Sequence, residues 1–109
     1  MKNIKTMYGT TDHIIEKISN AFGVTLEQTK GKCRNDENVN ARHASMYFFR
    51  FYCKLPLRVI ADIFQHKCHS SVMYGTQRAK NNQKDLTYNY YFKLAIESLI
   101  ADSKDNVAY

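Results

Sequence analysis

The sequence predicts an all-α fold, a compact bundle of about six helices. Two observations predict it. One proline and four glycines in 109 residues leave few turn and strand-edge signals. Apolar residues also recur at helical spacing through most of the chain. At 109 residues, with 44% apolar and 24% charged residues, the chain has the size and composition of one globular domain, 1–109.

The elements follow in order. Ile14, Ile15, Ile18 and Phe22 fall on one helical stripe, with Thr11 as the expected N-cap and Gly23 past the end. Thr25-Leu26-Glu27-Gln28 has the capping-box pattern and opens a short second helix, which Gly31 ends. Residues 32–37 are polar and aperiodic, hence a loop. A long helix is expected from about Asn38 to Lys54, with Ala41, Ala44, Tyr47, Phe48, Phe51 and Tyr52 spread round it as a central core element. Pro56 suits the first turn of the next helix, where its missing N–H costs nothing, and Leu57, Ile60, Ala61 and Phe64 form its buried stripe. After a connection over 65–68, a fifth helix spans about His69–Gln83. Its inner face is Val72, Gly75, Thr76 and Ala79, and its outer face is Ser70, Tyr74, Gln77, Arg78 and Asn81. A last helix over about 87–101 brings Tyr91, Leu94, Ala95 and Leu99 to the body, and a tail from Ser103 to Tyr109 is expected to fray.

Charge points to the partner. The net charge is +6. Between Asn38 and Lys84, eight basic residues (Arg42, Arg50, Lys54, Arg58, Lys67, Arg78, Lys80 and Lys84) face one acid, Asp62, so this stretch carries +7. A focused positive field recruits phosphates. Three cysteines without repeated spacing do not form a disulfide framework, and a reducing compartment is the default. The opening MKNIKTMYG lacks the apolar stretch of a secretory signal, and no apolar run approaches membrane-spanning length. A cytoplasmic protein without a membrane partner is expected.

The fourth and fifth helices, about nine and fifteen residues joined by a short turn, form a helix-turn-helix over 56–83. The outer face of the fifth has no acid and offers donors and acceptors of the kind that read base edges. The two helix starts are unusual as well. Helix N-termini favour acids and capping residues, yet one opens with Arg58 and the other with Lys67 and His69. Both become favourable if a phosphate docks there.

Three runs carry a family resemblance. They are Ala41-Arg42-His43-Ala44-Ser45-Met46-Tyr47, Leu57-Arg58-Val59-Ile60-Ala61-Asp62-Ile63-Phe64 and Lys67-Cys68-His69-Ser70-Ser71-Val72-Met73-Tyr74-Gly75. In this order and spacing, Phe22–Arg78 resembles the C-terminal DNA-binding domain of the bacterial chromosomal replication initiator DnaA, which typically shows Arg-Asp-His-Thr-Thr-Val and an Ala in the third run. The resemblance implies double-stranded DNA binding, with base reading by Lys67, His69, Ser70 and Ser71; Tyr74 joins them as an expectation from its place on the outer face of the fifth helix. The resemblance places Arg34 in the basic loop that enters the minor groove. Arg42, Arg50, Leu57, Arg58 and Arg78 stand at its phosphate or backbone contacts. Three departures narrow this. Cys68 replaces the Asp that accepts hydrogen bonds from a base, Lys67 replaces an Arg and loses bidentate guanine recognition, and Asp36 and Glu37 dilute the loop. The phosphate-binding signature GxxxxGK[ST] of the initiators' ATPase is absent from these 109 residues, so the chain is expected to be a free-standing relative or a piece of something longer.

Rival chemistries have weaker support. The run His66-Lys67-Cys68-His69, with Cys33, Cys53 or His43, suggests zinc, but no pair has C-x₂-C or H-x₃-H spacing. Cys68 and His69 diverge at a helix start without an orienting third group, which argues against catalysis. A single-strand binder needs more exposed aromatics than Tyr74. The remaining alternative is a protein-interaction module that keeps the fold and no longer reads DNA. The expectation is a non-enzyme with no cofactor, no metal and no small-molecule substrate, of undetermined oligomeric state.

Overall fold

The computed structural model describes residues 4–31, 35–64 and 68–106, with side chains through Ala101. Six helices are preceded by a two-stranded antiparallel hairpin, β1 (Lys5–Thr6) and β2 (Gly9–Thr10). The helices are α1 (Thr11–Ala21), α2 (Leu26–Lys30), α3 (Asp36–Phe51), α4 (Leu57–Ile63), α5 (His69–Asn82) and α6 (Leu86–Asn106). The all-α bundle predicted from sequence is the fold observed. The hairpin was not foreseen, being only two residues a side. The chain turns over Met7 and Tyr8 into Gly9, whose φ of +107° suits glycine, and Tyr8 packs edge-on against Phe48.

Helix α1 begins one residue earlier than expected. Thr10 is its N-cap, its Oγ1 accepting from the His13 N–H. Thr11 is instead buried and ties down the chain start: its N–H donates to the Ile4 carbonyl, and the Ile4 N–H donates to its Oγ1. Ile14, Ile15 and Ile18 are fully buried as predicted, and Gly23 follows in the left-handed region at φ +79°. The capping box at α2 forms: Gln28 N–H donates to Thr25 Oγ1, and Thr25 N–H to Gln28 Oε1. An ion pair of 2.8 Å between Lys30 and Asp12 clamps α2 to α1.

Helix α3 is the central element, starting and ending slightly earlier than expected. Ala41, Ala44, Met46, Phe48 and Phe49 are buried, while Phe51 faces outward and Tyr47 is half-buried. Lys54, at φ +59°, turns the chain toward α4. Pro56 is the N-cap of α4 rather than its first helical residue. Ile60, Ala61, Ile63 and Phe64 pack against Phe49 and its neighbours.

In α6 the buried stripe is Tyr88, Phe92, Ala95 and Leu99, rotated from the one expected. Tyr91 and Leu94 are exposed. The rotation follows from the N-cap: Asp85 Oδ1 accepts from the Tyr88 N–H, and Tyr88 packs on Phe22 at 5.1 Å. The helix runs to Asn106, so residues 103–106 of the expected tail are helical, and 107–109 lie outside the described residues. Among the described residues, no helix is long and apolar enough to cross a membrane.

Candidate nucleic-acid interface

Helix α5 lies on α3 and α4 through the inner face the sequence assigned. Val72, Gly75, Thr76 and Ala79 are all buried. Gly75 sets the separation. A Cβ there would sit 2.6 Å from Met46 Sδ and 2.9 Å from His43 Cδ2, closer than non-bonded atoms allow. The opposite face is open: Ser70, Tyr74, Gln77, Arg78 and Asn81 are exposed, Tyr74 by 62%. Gln77 Nε2 donates to Asn81 Oδ1 at 3.1 Å, holding two amides side by side along the helix.

The start of α5 carries no conventional cap. Cys68 occupies the N-cap in extended backbone, makes no side-chain bond to the helix N–H groups, and no acid stands in the first turn. Its Sγ lies 3.4 Å from Ser71 Oγ. That hydroxyl contact is the main reason the exposed thiol titrates below its usual range. Helix α4 also opens without a side-chain cap or first-turn acid. In contrast, α1 and α2 have side-chain caps, and α3 opens on Asp36 and Glu37.

Of the residues expected to read bases, His69, Ser70 and Tyr74 are exposed and Ser71 is half-buried, all on the first two turns of α5. Lys67 lies outside the described residues, as do Arg34, His66 and Cys33. Arg50, Arg58 and Arg78 are exposed, and Leu57 is half-buried at the first position of α4.

Arg42 differs from its expected role. Only 6% exposed, it donates from Nε to the Thr29 carbonyl at 2.9 Å and from Nη2 to the Gly31 carbonyl at 2.7 Å. These carbonyls lie at the end of α2, where carbonyls lack intrahelical donors, so the guanidinium joins α2 to α3.

His43 was not singled out for this interface. Its ring meets Tyr74 edge-on at 5.9 Å. With Arg42, Met46, Ser70, Ser71 and Tyr74 it lines an open concavity of about 320 Å³ between α3 and the start of α5. One signal was available: His43 lies seven residues before Arg50, on the same helical face. Among the described residues, no group of three or more His, Cys, Asp or Glu is arranged to hold a metal ion.

Comparison with known proteins fits this geometry. Residues 11–79, covering α1 through most of α5, match the family model described as the bacterial dnaA protein helix-turn-helix. The chain belongs to this DnaA helix-turn-helix family. Among its DnaA relatives, the chromosomal replication initiator protein DnaA of Corynebacterium jeikeium (strain K411) is 33% identical over 70 residues, which cover 64% of this chain and 12% of that protein. The protein of the same name from Picosynechococcus sp. is 36% identical over 67 residues, covering 62% of this chain and 15% of that protein. A solved structure described as a DNA replication initiation factor superposes with a TM-score of 0.67 at 25% identity, over 82% of this chain and 29% of that one. The chain thus spans a small part of the DnaA proteins it matches.

Proposed function

We propose that the chain binds double-stranded DNA by laying the outer face of α5 in the major groove, and that it acts by binding and not by catalysis. The observation that carries this reading is the division of α5 into an apolar face spent on α3 and α4 and an acid-free polar face left open. At about 1.5 Å per residue, the 14 residues of α5 span about 21 Å, enough for its first two turns to follow the groove. His69, Ser70, Ser71 and Tyr74 on those turns, with Lys67 before them, are assigned to base edges. Arg50, Arg58 and Arg78, with the Leu57 backbone, are assigned to phosphates, and Arg34 to the minor groove. Membership of the DnaA family and the +7 charge between Asn38 and Lys84 support the same reading.

Cys68 narrows the proposed specificity. A thiol is a poor acceptor for cytosine N4, and two serines keep the hydroxyls but not the methyl groups that contact thymine. The preferred site should therefore depart from the box read by initiators with Asp and Thr at these places. Selection of bound duplexes from a random pool tests the proposal directly. Recovery of a defined site that differs from the initiator box at the positions facing Lys67 and Cys68 is expected. Failure to enrich any duplex would favour a protein-interaction module on the same fold.

A further inference from the structure

Among the described residues, nothing covers one face of helix α6. Its inner stripe packs chiefly against α1, and the family match ends at Ala79, before α6 begins. On the far side, Leu86 is 85% exposed and Tyr90 61%, and Leu94 and Ile100 are exposed on the same helix. Large apolar side chains presented this openly in a helical row mark an interaction surface.

We propose that this face is a self-association surface, on which a second copy of the chain seats its own α6 antiparallel. The spacing of the outward residues supports a helical partner. Leu86, Tyr90, Lys93, Glu97 and Ile100 are separated by four, three, four and three residues, the alternation of a coiled-coil seam. All five are exposed. Charge selects the second copy. Lys93 and Glu97 sit at the centre of the seam, one turn apart, and neither has an ion-pair partner among the described residues. Lysine before glutamate is also the weaker order for pairing within one helix. About a two-fold axis near Ala95, an antiparallel copy brings Lys93 opposite the other copy's Glu97, twice by symmetry, and Tyr90 opposite its Ile100. A parallel copy would set Lys93 against Lys93 and Glu97 against Glu97. The seam therefore specifies antiparallel pairing with itself. Because α6 rests on α1 while α5 rests on α3 and α4, such a dimer leaves both α5 faces open.

Sedimentation equilibrium on the full 109-residue chain, from about 10 µM to about 500 µM, covers the range of small, weakly held interfaces. A mass rising toward twice the monomer is expected. Lys93→Glu and Glu97→Lys, each alone, should stay monomeric, and an equimolar mixture of the two should form a one-to-one heterodimer. Tyr90→Ser with Ile100→Ser should abolish association while the helical circular dichroism is unchanged. A wild-type chain that remains monomeric throughout overturns the proposal and leaves the face to a different partner. Association that survives Tyr90→Ser with Ile100→Ser overturns it as well, because the contact would then lie elsewhere. A mixture of the charge variants that does not pair, while the wild type does, overturns the antiparallel register.

Discussion

Replacing Gly75 by alanine tests how α5 is seated. In a helix interior this change ordinarily stabilises by about 1 kcal/mol, because glycine has more backbone freedom to lose. At Gly75 the new methyl meets Met46 Sδ at 2.6 Å and His43 Cδ2 at 2.9 Å. Overpacking of a tight interface costs about 1–3 kcal/mol. The net expectation is a loss of about 0–2 kcal/mol, with α5 displaced from α3 and base-edge contacts weakened in step. Met46→Ala clears the nearer clash at its own cavity cost. In that background Gly75→Ala should recover part of its propensity gain, the His43 contact remaining, a coupling of about 0.5–2 kcal/mol between the two sites. Urea denaturation of the four proteins measures the cycle, and duplex affinity measured on the same samples reports the seating. A Gly75→Ala protein stabilised by the full 1 kcal/mol, with no coupling to Met46, would show that glycine does not set the α3–α5 distance.

Other outcomes follow from the same geometry. Arg42→Ala should destabilise the fold by about 1.5–3 kcal/mol, since buried charged donors to the Thr29 and Gly31 carbonyls are lost, and denaturation separates this from the binding loss shown by Arg78→Ala. With Arg42 committed internally, Arg50, Arg58 and Arg78 remain for phosphates, so log affinity against log salt should fall with a slope of about −2.7; Arg78→Ala should flatten it by about one unit. Ser71 lowers the pKa of the exposed Cys68 thiol, so raising the pH from about 7 to about 9 places a thiolate against the DNA. Affinity should fall over that range in the native chain and much less in Cys68→Ser. Lys67→Arg with Cys68→Asp should raise preference for the initiator box over a scrambled duplex about tenfold, measured by competition at one salt concentration.

Most of the fold was legible because it rests on local rules. The capping box at Thr25, the glycine after α1 and the inner face of α5 each follow from spacing within one element, and the structure has them. The errors arose where a distant contact decided. Helix α6 has apolar residues on most of its circumference, so periodicity could not choose its inner face; Asp85 capping and the Phe22–Tyr88 contact made the choice. Arg42 illustrates the same limit at the site. A basic residue in a basic stretch suggests a phosphate, and only the fold reveals two carbonyls at the end of α2 waiting for its guanidinium. His43 enters the interface because Gly75 lets α5 approach, a dependence between helices that neither stretch displays alone.

The most direct test of DNA reading by α5 is a map of backbone amide shifts by nuclear magnetic resonance as a selected duplex is added. Changes concentrated at His69, Ser70, Ser71, Tyr74, Gln77 and Arg78, with the outer face of α6 at Leu86, Tyr90 and Leu94 unmoved, are the predicted result. Changes centred on α6, or spread evenly without saturation, would contradict the placement of α5 in the groove.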